Sequence, residues 1–173
     1  QSPNKRQEDL IKLLYFYRRI APSARLLIVG SPWQAEYADW LVEFADELGV
    51  PEAVDFAGHV SQSDLVTFYR LADVYVSMSE HEGFGKPLVE SMYLGVPVLA
   101  YAAAAVPETM GGTGVLFHRK DYEAVAEMAD MLAHAGQLRQ RVVARQRERA
   151  RAFLESEVRR TWQGLLKDIF EHF

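Results

Sequence analysis

The chain contains no cysteine, which excludes disulfides and thiolate metal sites and fits a reducing compartment. It has no apolar run of bilayer-spanning length and no signal-peptide pattern at its start, so a soluble, cytoplasmic protein is expected. Positive charge is in deficit: 19 lysines and arginines stand against 24 acidic residues, a net charge of −5. A nucleic-acid partner would require a basic face, and none is expected. Repeats and low-complexity linkers are also missing. What is present is 173 residues, 49% of them hydrophobic, enough for one domain with a substantial core.

Strand-like and helix-like segments alternate, the pattern of βαβ units and a mostly parallel sheet. A first helix is expected from Lys5 to Ile20, with Leu10, Ile11, Leu14 and Tyr17 at core spacing and Asn4 as its cap. Leu26 to Val29 is apolar throughout, as a buried parallel strand requires, and Gly30-Ser31-Pro32 ends it. Tyr37, Leu41, Phe44 and Leu48 form one helical stripe; Val54 to Ala57 reads as a strand. Ser61 to Leu71 reads as a helix with a capping-box-like start at Ser61 and Asp64. Further strands are expected at Val74–Val76, Val96–Tyr101 and Val115–Phe117, with a short helical turn at Val106–Met110. From Asp121 the pattern is helical, with a polar, arginine-rich stretch from Arg145 to Arg151 and a last helix carrying Val158, Trp162, Leu165, Leu166, Ile169 and Phe170.

The densest chemistry lies in Ser79-Glu80-His81-Glu82-Gly83-Phe84-Gly85-Lys86-Pro87-Leu88-Val89-Glu90, between a strand and a helix. A glycine loop at that junction offers free N–H groups and the positive end of a helix dipole, where phosphates bind. Gly83, Phe84 and Gly85 would act through their N–H groups, glycine permitting close approach and positive φ. With a helix starting near Lys86, Glu90 stands about 6 Å up its axis. Glu82 and Glu90 would therefore flank an anion site, and carboxylates accept hydrogen bonds from hydroxyls. Phosphate and hydroxyls at one locus point to a nucleotide sugar. The bland readings are a solvated loop glutamate at Glu82 and a helix-dipole glutamate at Glu90. Phe84 is expected to pack underneath the loop, and His81 has no partner that would make it a base.

Glu82-Gly83-Phe84-Gly85 with Glu90 resembles the E-G-F-G, E-x7-E signature of the retaining glycosyltransferases of family 4 (group 1), which have the GT-B fold. Other stretches resemble that family in order: Asn4-Lys5, Leu26–Gly30, Phe56-Ala57-Gly58-His59-Val60, Leu71-Ala72-Asp73-Val74, Gly95–Val98, Val106-Pro107-Glu108 and Gly112–Leu116. The resemblance runs to about Tyr122. It implies an α/β fold, a Rossmann-like, mostly parallel sheet with helices on both faces and a helical C-terminal tail, making residues 1–173 a donor-binding C-terminal domain without its N-terminal acceptor domain.

The family's roles carry over residue by residue. Glu82 is implied to bind the transferred sugar, and Lys5 to neutralise the departing diphosphate; these are the candidate catalytic residues. Gly83, Phe84, Gly85 and Glu90 are implied to bind the donor, Glu90 through ribose hydroxyls, and Gly58, His59 and Val60 to lie against the base. The family's arginine, a few residues before the lysine, falls at or before Gln1, and Arg6 is a poorer match. No D-x-D pair occurs, so metal-independent transfer is implied, with no cofactor and a UDP- or GDP-sugar as substrate. The acceptor, a glycan or lipid-linked molecule, would be held by the other domain.

A strand precedes Asn4-Lys5 in that family and would be central in the sheet. Without it the gap must be filled or paired with another chain. The apolar stripe of the last helix is expected to pack back on the fold or to form a dimer contact, with membrane-peripheral association as the runner-up. Rival readings are a nucleotide-sugar epimerase or phosphorylase of similar fold, and a non-catalytic nucleotide-sugar binding or interaction module.

Overall fold

A computed structural model describes residues 3–32 and 34–171. Gln1, and with it the position of the family's arginine, lies outside the described residues. The helices are α1 (Gln7–Tyr17), α2 (Ala35–Glu47), α3 (Gln62–Leu71), α4 (Lys86–Leu94), α5 (Val106–Met110), α6 (Tyr122–His134), α7 (Gly136–Arg151) and α8 (Glu155–Glu171). The strands are β1 (Leu26–Val29), β2 (Val54–Gly58), β3 (Tyr75–Ser77), β4 (Val98–Tyr101) and β5 (Val115–Phe117).

Every strand pairing among the described residues is parallel, as the βαβ alternation requires. The sheet is divided. β1 pairs with β2, while β3, β4 and β5 form a second ladder in that order, with β5 at its outer edge. Among the described residues no ladder bond joins the two parts. Helix α1 packs on both parts. Its Ile11 and Leu14 join Ile28, Leu41, Ala45 and Val54 in one core. From the same helix, Leu13 joins Met78, Leu99, Phe117, Val125 and Leu132 in another. A third core, Leu88, Met92, Val98, Val106, Met110 and Ala150, seats α4, α5 and α7 on the second ladder.

Local chemistry explains most element starts. The Ser61 hydroxyl accepts from the Asp64 N–H at 3.1 Å and donates to its carboxylate at 2.7 Å, opening α3. Asp121 opens α6 by accepting from the Ala124 N–H at 3.2 Å. At the first helix the expectation is corrected: Pro3–Lys5 is a 3₁₀ turn, and the residue before α1 is Arg6, in the left-handed region at φ 55°. Asn4 is not the residue that precedes α1; its side chain donates to the His81 carbonyl at 3.3 Å.

The arginine-rich stretch from Arg145 to Arg151 is helical. It is the C-terminal half of α7, and its arginines are partly used inside the fold: Arg149 donates to the Thr109 carbonyl at 3.0 Å and the Glu108 carbonyl at 2.8 Å, satisfying the end of α5. Helix α8 does not pack back on the domain. Trp162 is 61% exposed, and Val158, Leu165 and Ile169 are exposed beside it. Among the described residues no helix is long and apolar enough to cross a membrane.

Candidate functional site

The C-terminal ends of parallel strands are where open α/β sheets gather their ligands, and the candidate residues are placed there. Beyond β3, Met78 and Ser79 are buried and the chain turns outward over Glu80–Gly85. The N-terminal segment lies along this loop. The Asn4 carbonyl accepts from the Glu80 N–H at 3.0 Å and from the Ser79 hydroxyl at 3.3 Å. Lys5 then reaches across, its Nζ 2.6 Å from Oε1 of Glu82, with the lysine 40% exposed and the glutamate only 11%. The two candidate catalytic residues, 77 positions apart, are thus an ion pair.

Gly85 ends the loop in the left-handed region at φ 78°. A Cβ there would sit 2.6 Å from Cδ1 of Leu88, so both the turn and the buried leucine demand glycine. Lys86-Pro87 starts α4 without a side-chain cap. Among the described residues the N–H groups of Gly83, Phe84 and Gly85 make no hydrogen bond. Open donors at a helix N-terminus beside a lysine make a place for an anion. Leu88 fills the space beneath the loop, so Phe84 does not pack underneath: it is 49% exposed and meets the Phe153 ring edge-on at 5.3 Å.

Glu90 is one turn up α4. Its carboxylate accepts from the Tyr69 hydroxyl at 3.0 Å and lies 3.6 Å from the Lys86 ammonium. Tyr75 relates the two glutamates: burial first, then the negative charges of Glu82 and Glu90, hold its phenol well above the ordinary range. Burial, then Tyr75 and Glu90, do the same to Tyr69. Both phenols therefore stay protonated, and that of Tyr69 donates to Glu90. Gly58, His59 and Val60 end β2 on the same edge of the fold but in the other ladder. Gly58 turns at φ 62° and its carbonyl accepts from the Gly30 N–H at 2.8 Å, while His59 is exposed. No hydrogen bond among the described residues ties Gly58–Val60 to the Glu82 loop.

Several residues that the motif reading passed over hold the loop. On one side the Ala105 N–H donates to the Glu82 carbonyl at 3.2 Å, and the Thr109 hydroxyl to the Phe84 carbonyl at 2.5 Å. Arg149 binds the α5 carbonyls and stacks over Phe153, 4.8 Å from its ring centre. These groups enclose a cavity of about 190 Å³ floored by Phe84, Thr109 and Phe153. On the other side Asp9, 1% exposed, accepts from Lys120 (2.8 Å), Tyr122 (2.8 Å) and Arg6 (3.2 Å). Burial pushes the Asp9 carboxyl up, but hydrogen bonds from Lys120, Tyr122 and Arg6 outweigh it and leave it below the ordinary carboxylate range.

Backbone strain points to the same place. Among the described residues, Arg6 (φ 55°) and Ala104 (φ 48°) are the non-glycine residues in the left-handed region. Each costs about 1–2 kcal/mol. One follows Lys5, and the other precedes Ala105, so both adjoin a residue bonded to Glu82. Strain of this kind persists where surrounding structure enforces it, typically at sites of function.

With this geometry in place, comparison with known proteins is informative. Residues 2–149 match the family described as Glycosyl transferases group 1. The chain belongs to that family. It is 39% identical over 119 residues to the D-inositol 3-phosphate glycosyltransferase of Mycobacterium sp. (strain KMS), covering 66% of this chain and 27% of that protein. The chain thus spans about a quarter of the length of the curated relatives it matches. Among solved structures, sucrose-phosphate synthase of Thermosynechococcus elongatus superposes with a TM-score of 0.81 at 26% identity, covering 99% of this chain and 44% of that one. HepE of Anabaena, solved with UDP-glucose, gives 0.77 at 24% identity, covering 87% and 41%. The fold is that of a GT-B glycosyltransferase domain.

Proposed function

We propose that this chain is the donor-binding domain of a retaining glycosyltransferase, which moves a sugar from a UDP- or GDP-sugar to a glycan or lipid-linked acceptor held by another domain. The observation that carries the reading is the 2.6 Å approach of Lys5 to Glu82 beside the open N–H groups that start α4. The family match and the UDP-glucose in the HepE structure support a nucleotide-sugar donor.

In this reading the diphosphate lies against the N–H groups of Gly83–Gly85 and the positive end of α4, and Lys5 leaves Glu82 to meet it. Glu82, freed of its partner, accepts from hydroxyls of the transferred sugar. Glu90, oriented by Tyr69, accepts from the ribose, and Gly58–Val60 border the base. In the transfer the bond from the anomeric carbon to the diphosphate oxygen breaks, and the electron pair leaves with the nucleoside diphosphate. The acceptor oxygen bonds to the same face of that carbon, and its proton passes to the departing phosphate. Lys5 and the backbone donors stabilise the charge that grows on the leaving group, commonly the largest catalytic contribution. Since the sequence has no D-x-D pair, that neutralisation is assigned to these groups and transfer is expected to be metal-independent.

Calorimetric titration of the chain with UDP and with GDP, with and without magnesium, tests the reading. Saturable binding of one nucleotide, indifferent to magnesium and weakened at least tenfold by Glu90→Ala, is expected. Binding that requires magnesium, or that survives Glu90→Ala undiminished, overturns the assignment.

A further inference from the structure

We infer that Asp9 is a positioning residue for Lys5: buried beneath the N-terminal segment, it fixes the turn that presents the lysine to Glu82. The inference rests on the donor-site reading only for its consequence in binding.

Asp9 acts through its neighbours and not on a ligand. It lies in the first turn of α1, 1% exposed, and cannot itself reach a ligand. A carboxylate taken out of water is expensive unless several donors meet it. Here three do, and each comes from a different part of the surroundings. Arg6 is the residue immediately after Lys5. Lys120 follows β5 and bonds both Asp9 and Glu80, at 2.8 Å each. Tyr122 opens α6. Asp9 therefore joins the N-terminal segment, the loop leading to Glu82 and the start of α6 at one point.

Arg6 shows how this reaches Lys5. An arginine in the left-handed region is strained, and glycine would take that conformation freely. What Arg6 offers in return is its guanidinium, which lies 3.1 Å from Glu8, 3.2 Å from Asp9 and 3.5 Å from Glu80. The turn reverses the chain between the 3₁₀ segment and α1, and leaves the Lys5 side chain against Glu82 while Asn4 lies along Ser79 and Glu80. Lys5, 40% exposed, has one ion-pair partner among the described residues, so little besides this turn confines it.

The test has a ligand-free arm and a binding arm. In the chain without nucleotide, side-chain NMR relaxation of the Lys5 ε-methylene is measured in wild type, Asp9→Asn and Arg6→Gly, with Glu82→Gln as the reference for a broken pair. Arg6→Gly relieves the backbone strain, so it folds even if Asp9→Asn does not, but it removes the guanidinium through which Asp9 holds the turn and leaves the turn unanchored. Both variants are expected to move Lys5 toward the mobility seen in Glu82→Gln. Lys5 unchanged in either folded variant, with thermal stability lowered, makes Asp9 merely structural and overturns the inference.

In the binding arm, Asp9→Asn is expected to weaken the nucleoside diphosphate that binds by five- to tenfold while leaving its free nucleoside unaffected. Added to Lys5→Met, it is expected to cost nothing further. Equal loss for diphosphate and nucleoside, or an additive loss in the double variant, overturns the inference. If wild type binds neither UDP nor GDP, the donor-site reading fails, and the relaxation comparison still decides what Asp9 does.

Discussion

On the side of α1, the loop carrying Glu82 is held by charge: Lys5 on Glu82, Arg6 and Lys120 on Glu80, and buried Asp9 beneath them. On the side of α7 it is held by neutral hydrogen bonds and aromatic packing, through Ala105, Thr109 and Phe153, with Arg149 bracing α5. The difference is one of adjustability. Ionic contacts on long side chains can exchange partners when an anion arrives, whereas a backbone carbonyl bonded to a buried threonine holds its place. The loop has a fixed wall and a responsive one, and the candidate ligand-binding lysine belongs to the responsive one.

Breaking the ionic side at its base is expected to have the largest effect. Asp9→Asn should lower unfolding free energy by about 3 kcal/mol at neutral pH, because it leaves buried donors facing a neutral amide. The sign of the pH dependence follows from the lowered carboxyl. Its stabilisation is complete above the unfolded value near 4 and is lost as pH falls through the lower folded value. Denaturation of both proteins at pH 7 and at pH 3 should therefore show the gap narrowing in acid; a constant gap contradicts the assignment.

Breaking the packed side comes next. Arg149→Ala removes two hydrogen bonds to α5 and the stack on Phe153, and should cost about 2 kcal/mol with little change between pH 7 and pH 3. The two left-handed residues sharpen the comparison through opposite signs. Arg6→Gly should lower stability by about 1 kcal/mol, because lost ion pairs exceed the relieved strain. Ala104→Gly should raise it by about 0.5 kcal/mol, because the alanine side chain offers nothing in return for its backbone. Urea titration of the pair decides both. The smallest effect is expected for Lys5→Met: its pair with Glu82 is half open to water, so stability should stay within about 0.5 kcal/mol of wild type. Nucleotide affinity, in contrast, should collapse in the same calorimeter cell.

Much of this was legible in the sequence. Apolar runs broken by glycine and proline located the described strands, the Ser61–Asp64 start followed from side-chain chemistry, and the start of α6 at Asp121 from helical periodicity. The loop from Glu82 to Gly85 announced a helix N-terminus correctly. Asn4 misled because a cap was sought next to the helical pattern, while the turn there depends on Arg6 and its distant carboxylates. The role of Arg149 left no local signal because its acceptors are carbonyls of α5, 40 and 41 residues earlier. The Asp9–Lys120 contact spans 111 residues and the Tyr69–Glu90 contact 21. Pairings of that kind are set by topology and leave no mark on local periodicity. The α8 stripe was visible, but its periodicity says only that the face is apolar, not what covers it.

The divided sheet has a consequence for how the domain comes apart. With no ladder hydrogen bond between β1 and β3 among the described residues, α1 is the element that contributes side chains to the cores of both parts. That helix of eleven residues then carries cooperativity between the halves, beside the α3–α4 contact made by Tyr69 and Glu90. Amide exchange in β1 and β2 should report a separate, lower-energy opening than exchange in β4, whose neighbours bond it on both edges. Helix α1, which begins directly after Arg6, thus couples two folding units. A ligand that tightens that turn would be felt as slower exchange in strands it never touches.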